Sequence, residues 1–211
     1  MAAENVSSWA QYAEVATAPM FRFGVTNRGP WILSRRYGFP SFQAFLDSIP
    51  SGARVLDAGA GNSSFMERVA TERPDVTCVA LDIGYPAGEQ LYEDLPNLRK
   101  VGADLTKLHA SAIADSSFQL ITSYGALVHL MNKKLEDCLD PSSDISKAAT
   151  SILEMLAPDG IFRFGKVKPV PQRRSWLHRS AEIAYTPPGH HRQAAIRKIV
   201  ELTPRYGLRD T

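Results

Sequence analysis

Three aspartates and a pair of glycines are the strongest candidates for a ligand-binding site in this chain. Asp57 lies in the stretch RVLDAGAGNSSF, two residues before Gly59, and Gly61 follows close behind. Glycines at such a turn let backbone N–H groups and the start of the next helix approach a ligand closely. Asp82 and Asp104 follow Asp57 further along the chain, and a fold that gathers all three carboxylates would give them one site.

Apolar runs that alternate with helical patterns predict such a fold. The predicted strands are ARVLDAG, VTCVALDIG, LRKVGADL and IFRFGKV, and SFQLITSYGALVHLM holds a further strand, the fourth in chain order, that passes into a loop or helix. The predicted helices are NSSFMERVATERPD, EQLYEDL, DISKAATSILEMLAPDG and RQAAIRKIVELTPRYG. This order predicts an α/β protein with a Rossmann-like, mostly parallel sheet and helices on both faces. Ligands of such sheets lie beyond the carboxyl ends of the strands, where the three aspartates stand.

The charge at the glycine turn limits the kind of ligand. Asp57 would repel a pyrophosphate, and Ser64 stands where a dinucleotide fingerprint needs its third glycine. A carboxylate at the turn favours an ammonium or a sulfonium, and one ending the second strand can accept both ribose hydroxyls. A carboxylate ending the third strand can accept an exocyclic amine. The pattern favours an adenosine with a cationic amino-acid tail. The alternative is a tight strand-to-helix turn whose acids only cap turns and helices.

The motifs LDAGAGNSS, VALDIG, GADLTKL, FQLITSYGALVHL and ILEMLAPDGIFRFGKV resemble the successive motifs of class I S-adenosylmethionine-dependent methyltransferases. The resemblance covers about residues 52–166 and implies S-adenosylmethionine as the cofactor. It implies that the turn holds the methionine part, that Asp82 binds the ribose, and that Ile83, Asp104 and Leu105 surround the adenine. The cofactor-binding residues that it implies are Asp57, Gly59, Gly61, Asp82, Ile83, Asp104, Leu105 and Ser123.

The end of the chain departs from that family. The family closes its sheet with an antiparallel hairpin after the last helix, whereas this sequence ends in YGLRDT, where that hairpin would only begin. We therefore expect a C-terminal strand hairpin that is missing or incomplete, through truncation, a natural short form, or completion by a partner. An open sheet edge favours association. We expect either a homodimer or partner at that edge, or shielding by the N-terminal segment or the 167–190 connection.

Residues 1–50 are predicted to form an N-terminal helical and aromatic lid, and residues 51–211 the S-adenosylmethionine-binding domain. Ser41 is the expected N-cap of a helix in SFQAFLDSIP, which ends near Pro50. Tyr12 and Trp31 are candidate substrate-binding residues of the lid. Packing in the core is the alternative role for these aromatic rings.

Methyl transfer to an O–H or N–H group needs alignment and a base. His129 is the best-placed base because it follows Tyr124 by five residues, after the fourth strand. Tyr124 would either hydrogen-bond the nucleophile or close the cofactor pocket. His190 and His191, in YTPPGHHR, are candidate substrate-binding residues, and no metal is predicted because that pair has no spaced third ligand. The remaining candidate bases are His109 and His178.

Composition and the two cysteines indicate the cellular environment of the protein. Hydrophobic residues make up 44% and charged residues 22% of the 211 residues, and no apolar run approaches the roughly 18–20 residues of a membrane span. The N-terminus has no pattern of a secretory signal. Cys78 and Cys138 are far apart and have no metal-ligand spacing. We therefore expect a reduced, cytoplasmic protein with no membrane partner.

The sequence leaves three functions open. The sequence lacks an N/D-P-P-Y motif after the fourth strand, which disfavours amino methylation of adenine or glutamine. We therefore expect an enzyme that methylates O or N of a small molecule, either a metabolite or a natural product. The basic quarter 161–211, with 11 Lys and Arg against 3 Asp and Glu, keeps an RNA or protein substrate as the alternative. A non-catalytic methyltransferase-like subunit is the third.

Overall fold

The computed structural model describes residues 30–61, 64–92, 94–110, 118–131, 134–168, 177–185 and 189–203. Strands and helices alternate through these ranges. The helices are α1 Pro30–Arg36, α2 Phe42–Asp47, α3 Ser64–Glu72, α4 Leu135–Leu139, α5 Asp144–Met155 and α6 His190–Leu202. The strands are β1 Arg54–Ala58, β2 Thr77–Tyr92, β3 Leu95–Gly102, β4 Phe118–Ser123, β5 Leu156–Lys168 and β6 Leu177–Ala184. Short 3-10 helices span Leu105–Ala110 and Leu127–Leu130.

The six strands form one sheet in the order β3-β2-β1-β4-β5-β6. β1 is parallel to both β2 and β4, and β4 is parallel to β5. The chain moves outward from β1 through β2 to β3 and then returns to the other side of β1 as β4. The gap between β1 and β4 is therefore the switch point at which such sheets bind ligands. The predicted Rossmann-like, mostly parallel sheet is confirmed.

The pairing of β2 with β3 brings Asp104 to the edge where β1 and β2 end. Cys78 lies opposite Leu98 and Asp82 opposite Gly102, so both strands advance together over this half. The second half of β2 returns antiparallel, from Ala87 opposite Gly102 to Tyr92 opposite Leu95. The predicted helix in EQLYEDL is therefore wrong, because pairing with β3 outweighs the weak helical preference of so short a segment.

β6 lies in a stretch for which the sequence pattern predicts only a connection. It runs antiparallel to β5, from Leu177 opposite Lys168 to Ala184 opposite Ile161. The outer edge of β5 is thus paired with a strand from the 167–190 region, and β6 becomes the outermost described strand on that side. Shielding of that outer edge stays a prediction. A homodimer or partner at the sheet edge stays a prediction.

Hydrophobic residues fill both faces of the sheet. Val55 points to the face where Phe65 of α3 and Phe45 of α2 pack, and all three are fully buried. Leu56, its neighbour on β1, points to the other face and packs with Ile152 of α5. This alternation follows from the two-residue period of a strand, and it confirms the predicted helices on both faces.

The N-terminal segment shares the core with the sheet from residue 30 onward. The Ser41 hydroxyl accepts a hydrogen bond from the Ala44 N–H and caps α2, as the sequence predicts. Tyr37, between α1 and α2, is 1% exposed. The division at residue 50 and the lid function stay predictions. No helix in the described ranges has both the length and the apolar character that a membrane crossing requires.

Candidate functional site

The turn after β1 is fixed by hydrogen bonds to the neighbouring strand. The N–H groups of Gly59 and Ala60 both donate to the carbonyl of Leu81 in β2, at 2.7 and 3.0 Å. Gly59 and Gly61 have φ angles of 82° and 57°, a region that glycine adopts without steric cost. The turn is therefore a rigid backbone cradle beside the end of β2.

The segment that follows β4 lies against this cradle. A Cβ atom placed on Gly59 would lie 2.2 Å from the Cβ of Ala126. Such a separation is far below van der Waals contact, so only glycine fits at this position. The turn and the residues after β4 thus form two sides of one site at the switch point.

Gly59→Ala tests this packing. We expect the free energy of unfolding to fall by roughly 2–4 kcal/mol, since strain at positive φ adds to overpacking against Ala126. Gly52→Ala is the matched control, because Gly52 has φ 71° but nothing within 4 Å of the added Cβ. It should cost only about 1 kcal/mol, the conformational part alone. Equal losses in urea denaturation of the two variants would contradict the close approach.

Asp82 joins the end of β2 to the turn. Its Oδ2 accepts a hydrogen bond from the Gly61 N–H at 2.9 Å, and its Oδ1 accepts one from the Gly84 N–H at 2.8 Å. Each carboxylate oxygen can accept a second hydrogen bond. The half-buried carboxylate therefore keeps acceptor capacity toward a ligand while it holds the turn.

Asp57 is a buried carboxylate directly before the turn. It is 3% exposed, and its Oδ1 accepts hydrogen bonds from the Thr122 hydroxyl at 2.9 Å and from the Tyr37 hydroxyl at 3.1 Å. Burial raises its pKa from 3.8 to about 6, the two hydrogen bonds lower it, and the charge of Asp82 adds to the rise. Asp57 is thus charged at neutral pH but titrates close to it.

Ser123 and Tyr124 end β4 beside β1. The buried Ser123 hydroxyl donates to the Ala58 carbonyl at 2.8 Å, which fastens the two strand ends together. The ring of Tyr124 lies under the Arg36 guanidinium, 4.3 Å from it. A Cβ on Gly165 of β5 would meet this ring at 2.3 Å. Tyr124 is therefore clamped between α1 and the end of β5.

The predicted adenine-side residues lie at the ends of β2 and β3. Ile83 follows Asp82 directly and is half-buried. The Asp104 Oδ1 accepts hydrogen bonds from the Thr106 N–H and hydroxyl, at 2.9 and 2.8 Å, and Lys107 lies 3.3 Å from its Oδ2. Leu105 is buried in the core. In this structure Asp104 acts as a turn cap, and its role toward an adenine stays a prediction.

His129 lies near the glycine turn because it belongs to the segment after β4 that packs against the turn. The backbone N–H of His129 donates to the Ala126 carbonyl at 3.1 Å, and Ala126 is the residue packed against Gly59. The residue is largely exposed, yet neighbouring atoms desolvate the imidazole and lower its pKa. The imidazole is therefore neutral at pH 7, the form that can accept a proton.

His190 and His191 are not brought to this site, which corrects the expectation from the sequence. β6 reverses the chain, and the Tyr185 N–H at its end donates to the carbonyl of Gly160, near the start of β5. Arg192, at the start of α6, pairs with Glu154 near the end of α5. Both histidines therefore begin α6 at the edge opposite the glycine turn.

The remaining predicted residues lie away from the turn or outside the described part of the chain. Trp31 is 60% exposed on α1, five residues before Arg36. Tyr12 lies outside the described residues, and so do the side chains of His109 and His178. A substrate role for Trp31 or Tyr12 stays a prediction.

Three residues of the site have no role assigned to them from the sequence: Arg36, Tyr37 and Thr122. Thr122 could have been found, because a polar residue in a buried strand next to β1 needs a partner, and it lies opposite Asp57. Tyr37 and Arg36 reach the site only through the packing of α1 on the sheet.

No protein-family model matches the chain, and no curated protein does either. Among solved structures, a TehB-like SAM-dependent methyltransferase from Corynebacterium glutamicum is 16% identical, with 98% of this chain and 94% of that chain covered at a TM-score of 0.47. The antibiotic-resistance methyltransferase Kmr is 15% identical, with 66% of each chain covered at 0.39. Coclaurine N-methyltransferase, bound to N-methylheliamine and SAH, is 20% identical, with 59% and 36% covered at 0.41.

All three of these proteins are methyltransferases by name, the class that the sequence motifs also resemble. The identities do not exceed 20% and the TM-scores stay below 0.5. The function proposed below therefore rests on the residues of this chain.

Proposed function

We propose that the protein binds S-adenosylmethionine at the switch point and transfers its methyl group to an oxygen or nitrogen of a small molecule. One observation carries the proposal: two carboxylates, Asp57 and Asp82, converge on a glycine turn at the end of β1. An anionic phosphate is disfavoured beside two negative charges, whereas a cationic amino-acid tail is favoured. The vacant acceptor positions of Asp82 fit vicinal ribose hydroxyls.

The residues that would hold this cofactor form four groups. The turn from Asp57 to Gly61 would take the methionine part, since it offers a close backbone approach and negative charge. Asp82 would bind the ribose and Ile83 would pack on the adenine. Asp104 and Leu105 would lie at the far side of the adenine, and Ser123 would hold the end of β4 in place.

His129 and Tyr124 are the residues proposed to act on the acceptor. When bound, the cofactor supplies an electrophilic methyl group, and the protein must align the acceptor and remove its proton. The neutral imidazole of His129 can accept that proton. Tyr124 is held rigidly by Arg36 and Gly165, so its hydroxyl can orient the acceptor. His129→Gln should lower kcat at least about 100-fold, the lower end of the range for a general base, with cofactor affinity unchanged.

The charges in the described part of the basic C-terminal quarter support a small-molecule acceptor. A nucleic-acid interface presents unpaired cations to phosphates. Three of its arginines instead form ion pairs with glutamates: Arg163 with Glu182, Arg192 with Glu154, and Arg197 with Glu201. These ion pairs reduce the positive potential of this part of the surface, and they are typical of a solvent-exposed surface.

Transfer of a labelled methyl group distinguishes the acceptor classes. The purified protein is incubated with methyl-tritiated S-adenosylmethionine and, separately, with a metabolite extract, total RNA and total protein. We expect label in the metabolite fraction, with none for the Asp82→Ala variant. Label only in RNA, or only in protein, would show that the acceptor is that macromolecule and not a small molecule. No label in any fraction, despite cofactor binding, would favour the non-catalytic subunit.

A further inference from the structure

Tyr37 links the N-terminal segment to the charge beneath the glycine turn. Its hydroxyl donates to the Asp57 Oδ1 at 3.1 Å, across 20 residues of sequence. The ring is 1% exposed and packs against the rings of Phe65 and Phe45, with centroids 5.6 and 6.5 Å apart. A hydroxyl this deeply buried needs a partner, and Asp57 is the partner that the structure gives it.

The backbone of Tyr37 is also held by the sheet. The Arg163 guanidinium donates to the Tyr37 carbonyl at 3.2 Å, and it lies 4.4 Å above the ring of Phe39. Arg163 also pairs with Glu182 of β6 at 2.5 Å. Tyr37 is thus fixed at both its main chain and its side chain, so its hydroxyl is aimed at Asp57 with little freedom.

The two donors to Asp57 use the same oxygen. Thr122 and Tyr37 both bond to Oδ1, and no residue in the described ranges donates to Oδ2. Donors on one oxygen favour the charged carboxylate and fix its orientation, while the other oxygen keeps its capacity for a ligand. The arrangement supplies a fixed negative charge at the turn.

We infer that Tyr37 is a positioning residue, which together with Thr122 keeps Asp57 ionised and oriented so that its charge attracts the ammonium group of the ligand's amino-acid tail. This inference rests on the proposed function and adds a residue from outside the motifs to the cofactor site. Tyr37 acts through Asp57 and does not itself touch the ligand. Binding of a ligand with an ammonium therefore depends on the protonation of Asp57.

The charged and titratable groups around Asp57 set the pH at which this dependence appears. Asp82 on β2 opposes its ionisation, while Thr122 on β4 and Tyr37 favour it, and burial places its pKa at about 6. Tyr37 stays protonated, because burial and the Asp57 charge raise its pKa well above 10, with Arg36 acting in the opposite direction. Affinity for the ammonium ligand should fall as the pH drops through about 6.

Tyr37→Phe, which removes only the hydroxyl, tests the inference by calorimetric titration between pH 5.5 and 8.5. One probe is S-adenosylhomocysteine, which carries the ammonium but no sulfonium. The other is 5′-methylthioadenosine, which has the adenosine but no amino-acid tail. Without the Tyr37 donor the midpoint for S-adenosylhomocysteine should rise by about one pH unit, which makes its binding about fivefold weaker at pH 6. Binding of 5′-methylthioadenosine should stay unchanged.

Two further variants separate positioning from a general structural effect. Ser34→Ala is the matched control, because the buried Ser34 hydroxyl lies on α1 but donates to the Pro30 carbonyl. It should keep the wild-type pH profile. Thr122→Val removes the second donor to Asp57 and should raise the midpoint as Tyr37→Phe does, whereas Thr122→Ser should restore it.

The outcomes distinguish this inference from the proposed function. A wild-type pH profile in Tyr37→Phe and Thr122→Val, or an equal loss of both probes, would overturn the inference while leaving the cofactor site in place. If the folded wild-type protein binds neither of the two probes, the proposed function is overturned, and this inference with it.

Discussion

Asp82→Ala should weaken binding of S-adenosylmethionine by about 2–4 kcal/mol, the scale for losing charge-assisted hydrogen bonds to both ribose hydroxyls. The dissociation constant would rise roughly 30- to 1000-fold. The change also removes the acceptor of the Gly61 and Gly84 N–H groups, so the turn loses its tie to β2. Calorimetric titration of the variant and the wild type measures the difference.

Glu154→Ala is the control for charge in that experiment. It too removes one negative charge, but Glu154 pairs with Arg192 at the opposite edge of the sheet. Its affinity for the cofactor should stay within about twofold of the wild type, because exposed charges beyond a Debye length are screened. Unchanged affinity in Asp82→Ala would show that the site lies elsewhere.

Asp57→Asn should make the fold more stable and the cofactor site weaker. The pKa of Asp57 is raised in the folded protein from 3.8 to about 6. Folding therefore becomes less favourable as the pH rises through this window, and above about pH 6 the charged form costs on the order of 3 kcal/mol. Asparagine keeps an acceptor for Tyr37 and Thr122 without the charge, so we expect about 1–3 kcal/mol of added stability at pH 7.5.

Urea denaturation at pH 7.5 and pH 4.5 checks the sign of this effect. The advantage of Asp57→Asn should shrink at pH 4.5, where the wild-type carboxyl is already protonated when folded. Asp75→Asn should do the opposite and destabilise the protein at pH 7.5, since its hydrogen bonds with Arg73 hold the pKa of Asp75 below its usual value. An Asp57→Asn variant less stable than wild type at pH 7.5 would contradict the buried charge.

The first half of the site could be predicted from the sequence because its signals are local. Asp57 and Asp82 end apolar runs that have the length and composition of buried strands. Parallel pairing then places both carboxylates at one edge, where the structure has them. The glycines between them give the turn, and their positive φ angles confirm why no other residue type would fit as well.

The parts that could not be predicted depend on chain direction and on distant packing. The stretch that forms β6, LHRSAEIA, alternates polar and apolar residues only from Ser180 to Ile183, which is too short a pattern to predict a strand. Missing this strand placed His190 and His191 at the wrong end of the sheet. Tyr37 was missed for a different reason, since only the packing of α1 against α3, β5 and β6 brings its hydroxyl to Asp57.

Calorimetric titration of the purified protein with S-adenosylmethionine at pH 7.5 is the decisive test of the cofactor site. We predict one binding site per chain with micromolar affinity, which falls as the pH is lowered through about 6. A folded protein that shows no heat of binding with either S-adenosylmethionine or S-adenosylhomocysteine at millimolar concentration would contradict the cofactor site at the Asp57–Gly61 turn.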